Sequence, residues 1–244
     1  MKVFLNFALL LILAVYLVFA FVRLAVGQDD TECTSVNVAV VDSTHAGFIT
    51  ADEVTRILKR ARLYPKGRKM ADVDGRRIEE ELLKNSFVKQ VTCYKSPGGR
   101  VNIRLSQRLP LLRVRAANGD DYYLDEKGNA MKPQGYHADL VVVTGHVSRD
   151  FARRKLVYLA REFHTNPFAG DLVQQADIAS DSTVTLVPRV GCRLIRYGTL
   201  DSINVARKFR NLKAFYAKVL PEVGWNTYRE ISLEYANQII CKRK

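Results

Sequence analysis

The chain has 244 residues, enough for one large domain or two small ones at roughly 100–200 residues per domain. Its 48% apolar content suits a packed core, and its net charge of +13 points to nucleic acid, an anionic membrane surface or an acidic partner. Cys33, Cys93, Cys192 and Cys241 lie far apart with no CxxC pair. That excludes the usual zinc and redox spacings and leaves three full disulfide pairings, or four buried free thiols, equally open.

Val3 to Val22 is apolar except for Asn6. A stretch of that length, at about 1.5 Å per residue, spans a hydrocarbon core of about 30 Å. The rival reading is a cleavable signal peptide, whose apolar region is usually only about 7–15 residues. Arg23 interrupts the one cleavage-like stretch, VFAFVRLAVG. We expect residues 1–27 to be a short stub and a retained transmembrane anchor, with a body over 28–244. Lys2 on one side and Arg23 on the other do not orient the helix. The short stub favours a single-pass type II arrangement, body outside the cytoplasm.

Residues 28–107 read as one small unit. Val36 to Val41 is a strand by β-branching. Thr50 and Glu53 fit a capping box, and Val54, Ile57, Leu58 and Ala61 form one helical face. Tyr64-Pro65-Lys66-Gly67 breaks that helix. Asp74 caps a second one, with Ile78, Leu82 and Leu83 inward. The run Glu79-Glu80-Glu81 reads as a solvated first turn that suits the helix dipole. Val88 to Tyr94 and Arg100 to Leu105 flank Ser96-Pro97-Gly98-Gly99 as a hairpin. The order is strand, helix, helix, strand, strand.

Pro110 closes that module, and residues 108–244 form a second, strand-rich region. Leu112 to Ala116 and Tyr122 to Asp125 are short strands around Asn118-Gly119. Strands are expected at Leu140–Val143, Val173–Ala179, Thr183–Val187 and Cys192–Tyr197. Helices are expected at Asp150–Phe163 and Leu200–Val219. Glu230 to Cys241 reads as one final strand. Its period-2 pattern puts Ile231, Leu233, Tyr235, Asn237 and Ile239 on the core face. The fold class is α+β: one transmembrane helix, a β-α-α-β-β module, then a mostly antiparallel β domain with two helices.

Catalytic chemistry is thin. GDDYYLDEKG, residues 119–128, holds four carboxylates, but an EF-hand needs oxygens at positions 1, 3, 5 and 12 with Gly at 6. That pattern fails from either Asp120 or Asp121, so the stretch reads as the turns of a hairpin. There is no HExxH, no G-x-S-x-G and no phosphate loop. His146, Ser148 and Asp150 share one short loop that suits turn usage better than a relay. RRKLVYLAREF and RKFRNLKAFY are basic and aromatic. Their rings fall on the apolar helix face, which argues for packing over stacked nucleic acid. We expect no enzyme activity, no cofactor, no metal, no nucleic acid and no small-molecule substrate.

Gln107-Arg108-Leu109-Pro110, Arg113, Gly119, Tyr122-Tyr123-Leu124-Asp125, Gly128 and Val142-Val143-Thr144-Gly145 together resemble the bacterial cell-division family FtsQ/DivIB. ISLEYANQ is similar to that family's terminal strand, with Glu234 where Arg is common and Val141 where Pro is common. The resemblance implies a single anchor in the inner membrane, a POTRA domain over 28–107 and a β domain over 108–244 in the periplasm. It implies a non-enzymatic divisome scaffold that binds FtsB-like and FtsL-like proteins and helps regulate septal peptidoglycan synthesis. A C-terminal strand with nothing after it can be a free edge that recruits another strand. Tyr235, Ala236, Asn237, Gln238 and Ile239 are the expected partner-binding residues, flanked by Arg207 and Arg210 of the late basic helix. POTRA edges can also add a strand. The alternative is a POTRA-containing secretion or outer-membrane assembly component. Such proteins usually carry several POTRA units or a barrel, and this chain shows one unit and no alternating barrel strands.

Overall fold

A computed structural model of the protein describes residues 10–20, 31–41, 48–133, 135, 138–235 and 238–244. The chain divides into two compact units, Met1–Arg108 and Leu109–Lys244. Residues 10–20 are helical (α1). Leu10 to Leu13, Val15 to Phe19 and the rest of that turn expose apolar side chains all round, the pattern of a helix that water does not solvate. The remainder of the expected anchor Val3–Val22 lies outside the described residues. No helix among the described residues is long and apolar enough to cross a membrane.

The first unit is a three-stranded sheet under two helices. Strand β1 (Ser35–Val40) pairs in parallel with β3 (Arg100–Gln107), which pairs antiparallel with β2 (Val88–Ser96). Helices α2 (Ala51–Arg60) and α3 (Gly75–Leu83) bury Val54, Leu58, Ile78 and Leu82, joined through a 3-10 turn at Met70–Asp72. Thr50 Oγ1 accepts the Glu53 N–H at 3.2 Å, and Asp74 Oδ1 accepts that of Arg77 at 3.1 Å. The capping box is only half made, because the Glu53 carboxylate pairs with Arg56. Gln107 is buried, and its Oε1 accepts the Ile49 N–H at 3.0 Å.

The second unit is a nine-stranded mixed sheet. Its members are β4 (Pro110–Ala116), β5 (Asp121–Asp125), β6 (Ala130–Met131), β7 (Val142–Gly145), β8 (Val173–Ile178), β9 (Thr183–Pro188), β10 (Leu194–Thr199), β11 (Tyr228–Ser232) and β12 (Ile240–Arg243). Their spatial order is β12-β11-β10-β9-β8-β7-β4-β5-β6. The pairs β4–β7, β7–β8 and β10–β11 are parallel and the other pairs antiparallel. Pro110 is tolerated because it is the first residue of its strand.

The helical complement exceeds the two expected. A helix runs from α4 (Arg149–Phe151) through a π-turn at Ala152–Leu156 into α5 (Val157–Thr165). Asn166-Pro167 then restarts the chain as α6 (Pro167–Leu172), Pro being favourable at a first helical position. The late helix α7 (Val205–Lys218) is followed by the short α8 (Leu220–Val223). Leu200–Asn204 is not helical: Asp201 instead accepts from Ile203 N (3.1 Å) and Asn204 Nδ2 (2.6 Å), the side-chain turn by which Asp competes with a helix. One buried cluster joins these helices to the sheet, including Leu112, Val143, Leu156, Phe163, Ala176, Ile195, Phe209, Leu212 and Ile231. Phe163 meets Phe209 edge-on at 5.8 Å.

Candidate partner-binding surface

The stretch from Gly119 to Gly128 is structural. Gly119 N donates to Ala116 O at 3.0 Å, closing the β4–β5 turn. Asp121 pairs with Arg113 through two bonds of 2.9 and 2.7 Å, and Asp120 with Arg149 at 2.8 Å. These guanidinium bonds hold both carboxyls below their usual range. Asp125 is buried and accepts from Lys127 N, Asn129 N and Asn129 Nδ2. Arg161 clamps the same turn onto α5 by donating twice to Glu126 O, at 2.9 and 2.7 Å. Ser148 Oγ caps α4, and Asp150 pairs with Arg154, so two members of the conceivable triad are spent on the helix start.

All four cysteines are free thiols. Burial pushes the Cys93 and Cys192 thiols up to about 11. Among the described residues no three His, Cys, Asp or Glu side chains converge.

The terminal segment is not one strand. Tyr228–Ser232 lies parallel to β10, the chain reverses, and Ile240–Arg243 returns antiparallel on β11 with Ile231 opposite Cys241 and Ser232 opposite Ile240. Nothing in EISLEYANQIICK marks that reversal with Gly or Pro, so an alternating pattern reads straight through it. Ile231 and Leu233 are buried as their period requires, whereas Tyr235 is 55% exposed in the turn. Gln238 precedes β12 outside any strand, and Ile239 packs partly against the core. Ala236 and Asn237 lie outside the described residues.

The outermost strand is therefore Ile240–Arg243, with β11 as its one neighbour in the strand order. Charge pins it: Glu230 on β11, 9% exposed, pairs with Arg196 of β10 and lies 3.6 Å from Lys242 of β12. Other edges are less open. The Glu79 carboxylate accepts the Cys93 N–H at 2.6 Å on the outer side of β2, so Glu79 is not the freely solvated residue its run suggested. Ahead of β1, Cys33 exchanges backbone bonds with Arg68 (2.7 Å) and Gly67 (2.9 Å). At the far end of the large sheet, β6 has two residues.

Helix α7 reaches the turn through a residue that sequence reasoning passed over. Lys208 Nζ donates to Tyr197 O at 2.6 Å and sits 4.3 Å from the Tyr197 ring centroid. Burial lowers its pKa, and the Glu234 charge opposes the shift. Gly198 (φ +81) fits closely there, since a Cβ would stand 3.0 Å from Glu234 Cγ. Arg207 bonds Asn204 Oδ1 at 2.6 Å, and Arg210 is exposed one turn on.

Comparison with known proteins follows this division. A family model described as FtsQ/DivIB, C-terminal related, matches residues 109–242, and one described as a POTRA-like domain matches residues 31–106. The Cell division protein FtsQ of Salinibacter ruber is 27% identical over 219 residues, covering 85% of this chain and 82% of that protein. The Cell division protein FtsQ of Rhodothermus marinus is 25% identical over 201 residues, covering 77% and 72%.

Proposed function

The chain belongs to the FtsQ/DivIB family, and on that premise we propose that it is a non-enzymatic cell-division scaffold that captures FtsB-like and FtsL-like proteins at its terminal sheet edge. The observation that carries this reading is β12, an outermost strand whose outer side has no neighbour among the described residues. An unpaired strand presents backbone donors and acceptors at the spacing an incoming strand needs. Tyr235, Gln238 and Ile239 lead into that edge, and Arg207 and Arg210 supply basic charge nearby; Ala236 and Asn237 complete the proposed surface. The apolar exposure of residues 10–19 supports an inner-membrane anchor over Val3–Val22, with the body in the periplasm and septal peptidoglycan synthesis as the regulated process.

Alternate residues of an edge strand donate inward and outward, so proline tests the edge directly. Cys241→Pro and Lys242→Pro are each made in the full chain and co-purified with the FtsB-like protein of the same genome. One of the two is expected to keep the wild-type melting temperature and lose capture. Full capture by both folded variants would place the interface elsewhere.

A further inference from the structure

A second feature lies at the open end of the terminal hairpin. Arg189, Val190 and Arg193 on the β9–β10 loop face Trp225, Tyr228, Arg229 and Lys244 across an open cleft of about 800 Å³. Its lining holds four cationic side chains and no acidic side chain. Among the described residues the Arg189 guanidinium forms one ion pair, 4.0 Å from the exposed Asp139. Arg193, Arg229 and Lys244 form no ion pair among the described residues. Some cations elsewhere in this unit have partners, as Arg113 has Asp121, Arg149 has Asp120, Arg154 has Asp150 and Arg196 has Glu230; others, such as Lys213 and Lys218, form no ion pair among the described residues, and what sets these four apart is that they line one cleft. Like charges gathered in a concavity repel one another and raise the local concentration of anions.

The cleft is also built to stay open. Tyr216 OH donates to Val190 O at 2.9 Å. At Gly191 (φ +96) a Cβ would stand 2.8 Å from that hydroxyl, so the loop is packed against the helix at a point where only glycine fits. Trp225 meets Tyr216 edge-on at 6.1 Å, and Tyr228 packs on Phe215 at 5.9 Å. Both rings are thus held from behind, while Trp225 is 45% exposed and Val190 50% exposed. The cleft offers apolar shelf and fixed positive charge together. A free phosphate would use only the charge.

Its position supplies the rest. Tyr228 pairs with Arg243, and Lys244 N donates to Thr227 O at 3.3 Å, so the cleft begins where β12 ends. A peptide laid along β12 runs into it. We infer that this cleft is the recognition site for an acidic peptide segment with interspersed apolar residues, continuous with a strand added to β12. Carboxylates of that segment pair with Arg193, Arg229 and Lys244, and an apolar side chain rests on Trp225 and Tyr228. Charge-assisted bonds to Arg are strong and directional. This assignment deepens the edge-strand reading and rests on it for the direction of the peptide.

The test uses the full chain in detergent and fluorescence anisotropy of a dye-labelled peptide of repeating Glu-Val-Glu-Phe units. Tight, salt-sensitive binding is expected, weakened at least about tenfold in the double variant Arg193→Glu/Arg229→Glu at unchanged melting temperature. The same peptide with Gln for Glu is expected to bind at least about tenfold more weakly. Equal binding of the Gln peptide, or undiminished binding by the double variant, overturns the cleft. Inorganic polyphosphate displacing the peptide at equal affinity shows a generic anion trap and also overturns it. A peptide with alternate backbone nitrogens methylated separates the two readings. If it binds as well as its parent while the double variant still loses binding, the cleft stands and strand addition fails.

Discussion

Asp125 is the one buried carboxylate between Gly119 and Gly128, 4% exposed, and it holds two backbone N–H groups and an Asn129 amide. Removing an acceptor strands its buried donors, at about 1–3 kcal/mol. Asp125→Ala is therefore expected to destabilise the protein by that amount in urea unfolding, and by more than Asp120→Asn or Asp121→Asn, which weaken solvent-facing ion pairs. The reverse ranking would contradict the hairpin account. The Asp120 and Asp121 carboxyls are held low by hydrogen bonds from Arg149 and Arg113. A depressed folded-state pKa stabilises the native state above the ordinary carboxylate range and ceases to do so as pH falls through the folded value. The stability gap between wild type and an Asp120→Asn/Asp121→Asn variant should thus be level from neutral pH to about pH 5 and close below about pH 4. Cys93 and Cys192, at about 11, remain thiols at pH 8. An aromatic disulfide reagent is expected to label them much more slowly in the native chain than in denaturant, and equal rates would contradict their burial.

At the scale of elements, Gly145 ends β7 at φ +90, where a Cβ would overlap the Ile178 carbonyl oxygen of β8. Neither the conformation nor the space admits a side chain. Gly145→Ala should cost about 3 kcal/mol or more in thermal or urea unfolding, and a near-neutral result would mean that β7 and β8 do not approach this closely. Glu230→Ala leaves Arg196 without its ion-pair partner and unties Lys242 of β12. Faster amide exchange in Ile240–Arg243, with β8 and β9 unchanged, is the expected consequence. The helices and hairpins of the first unit were legible because their punctuation is local: Thr50 and Asp74 cap, and Gly98-Gly99 turns with both residues at positive φ. The final hairpin was not, because its reversal lacks Gly and Pro and its two strands alternate in the same sense. The short α6 and α8 escaped notice because, at six and four residues, neither shows a helical period. Lys208 was missed beside Arg207 and Arg210 because Tyr197, whose carbonyl it reaches, is brought to it only by the sheet.

For the molecule as a whole, the charge of +13 resolves into two populations. Some cations of the second unit are tied to carboxylates; others form no ion pair among the described residues, and of these Arg193, Arg229 and Lys244 gather at the end of the terminal hairpin. Composition could announce the excess but not its address, since Arg189, Arg193, Arg229 and Lys244 meet only through the strand order β10-β11-β12. The proposed scaffolding through a free sheet edge needs no cleft of converging acids or histidines. It needs a sheet with an open margin, and β12 is an outermost strand of the nine-stranded sheet with no outer neighbour among the described residues. Amide hydrogen exchange on the full chain, alone and in complex with the co-expressed FtsB-like protein, tests this most directly. Slowed exchange across Ile240–Arg243 on complex formation is the predicted result; unchanged exchange there, with slowing confined to the strands of the first unit, would contradict it.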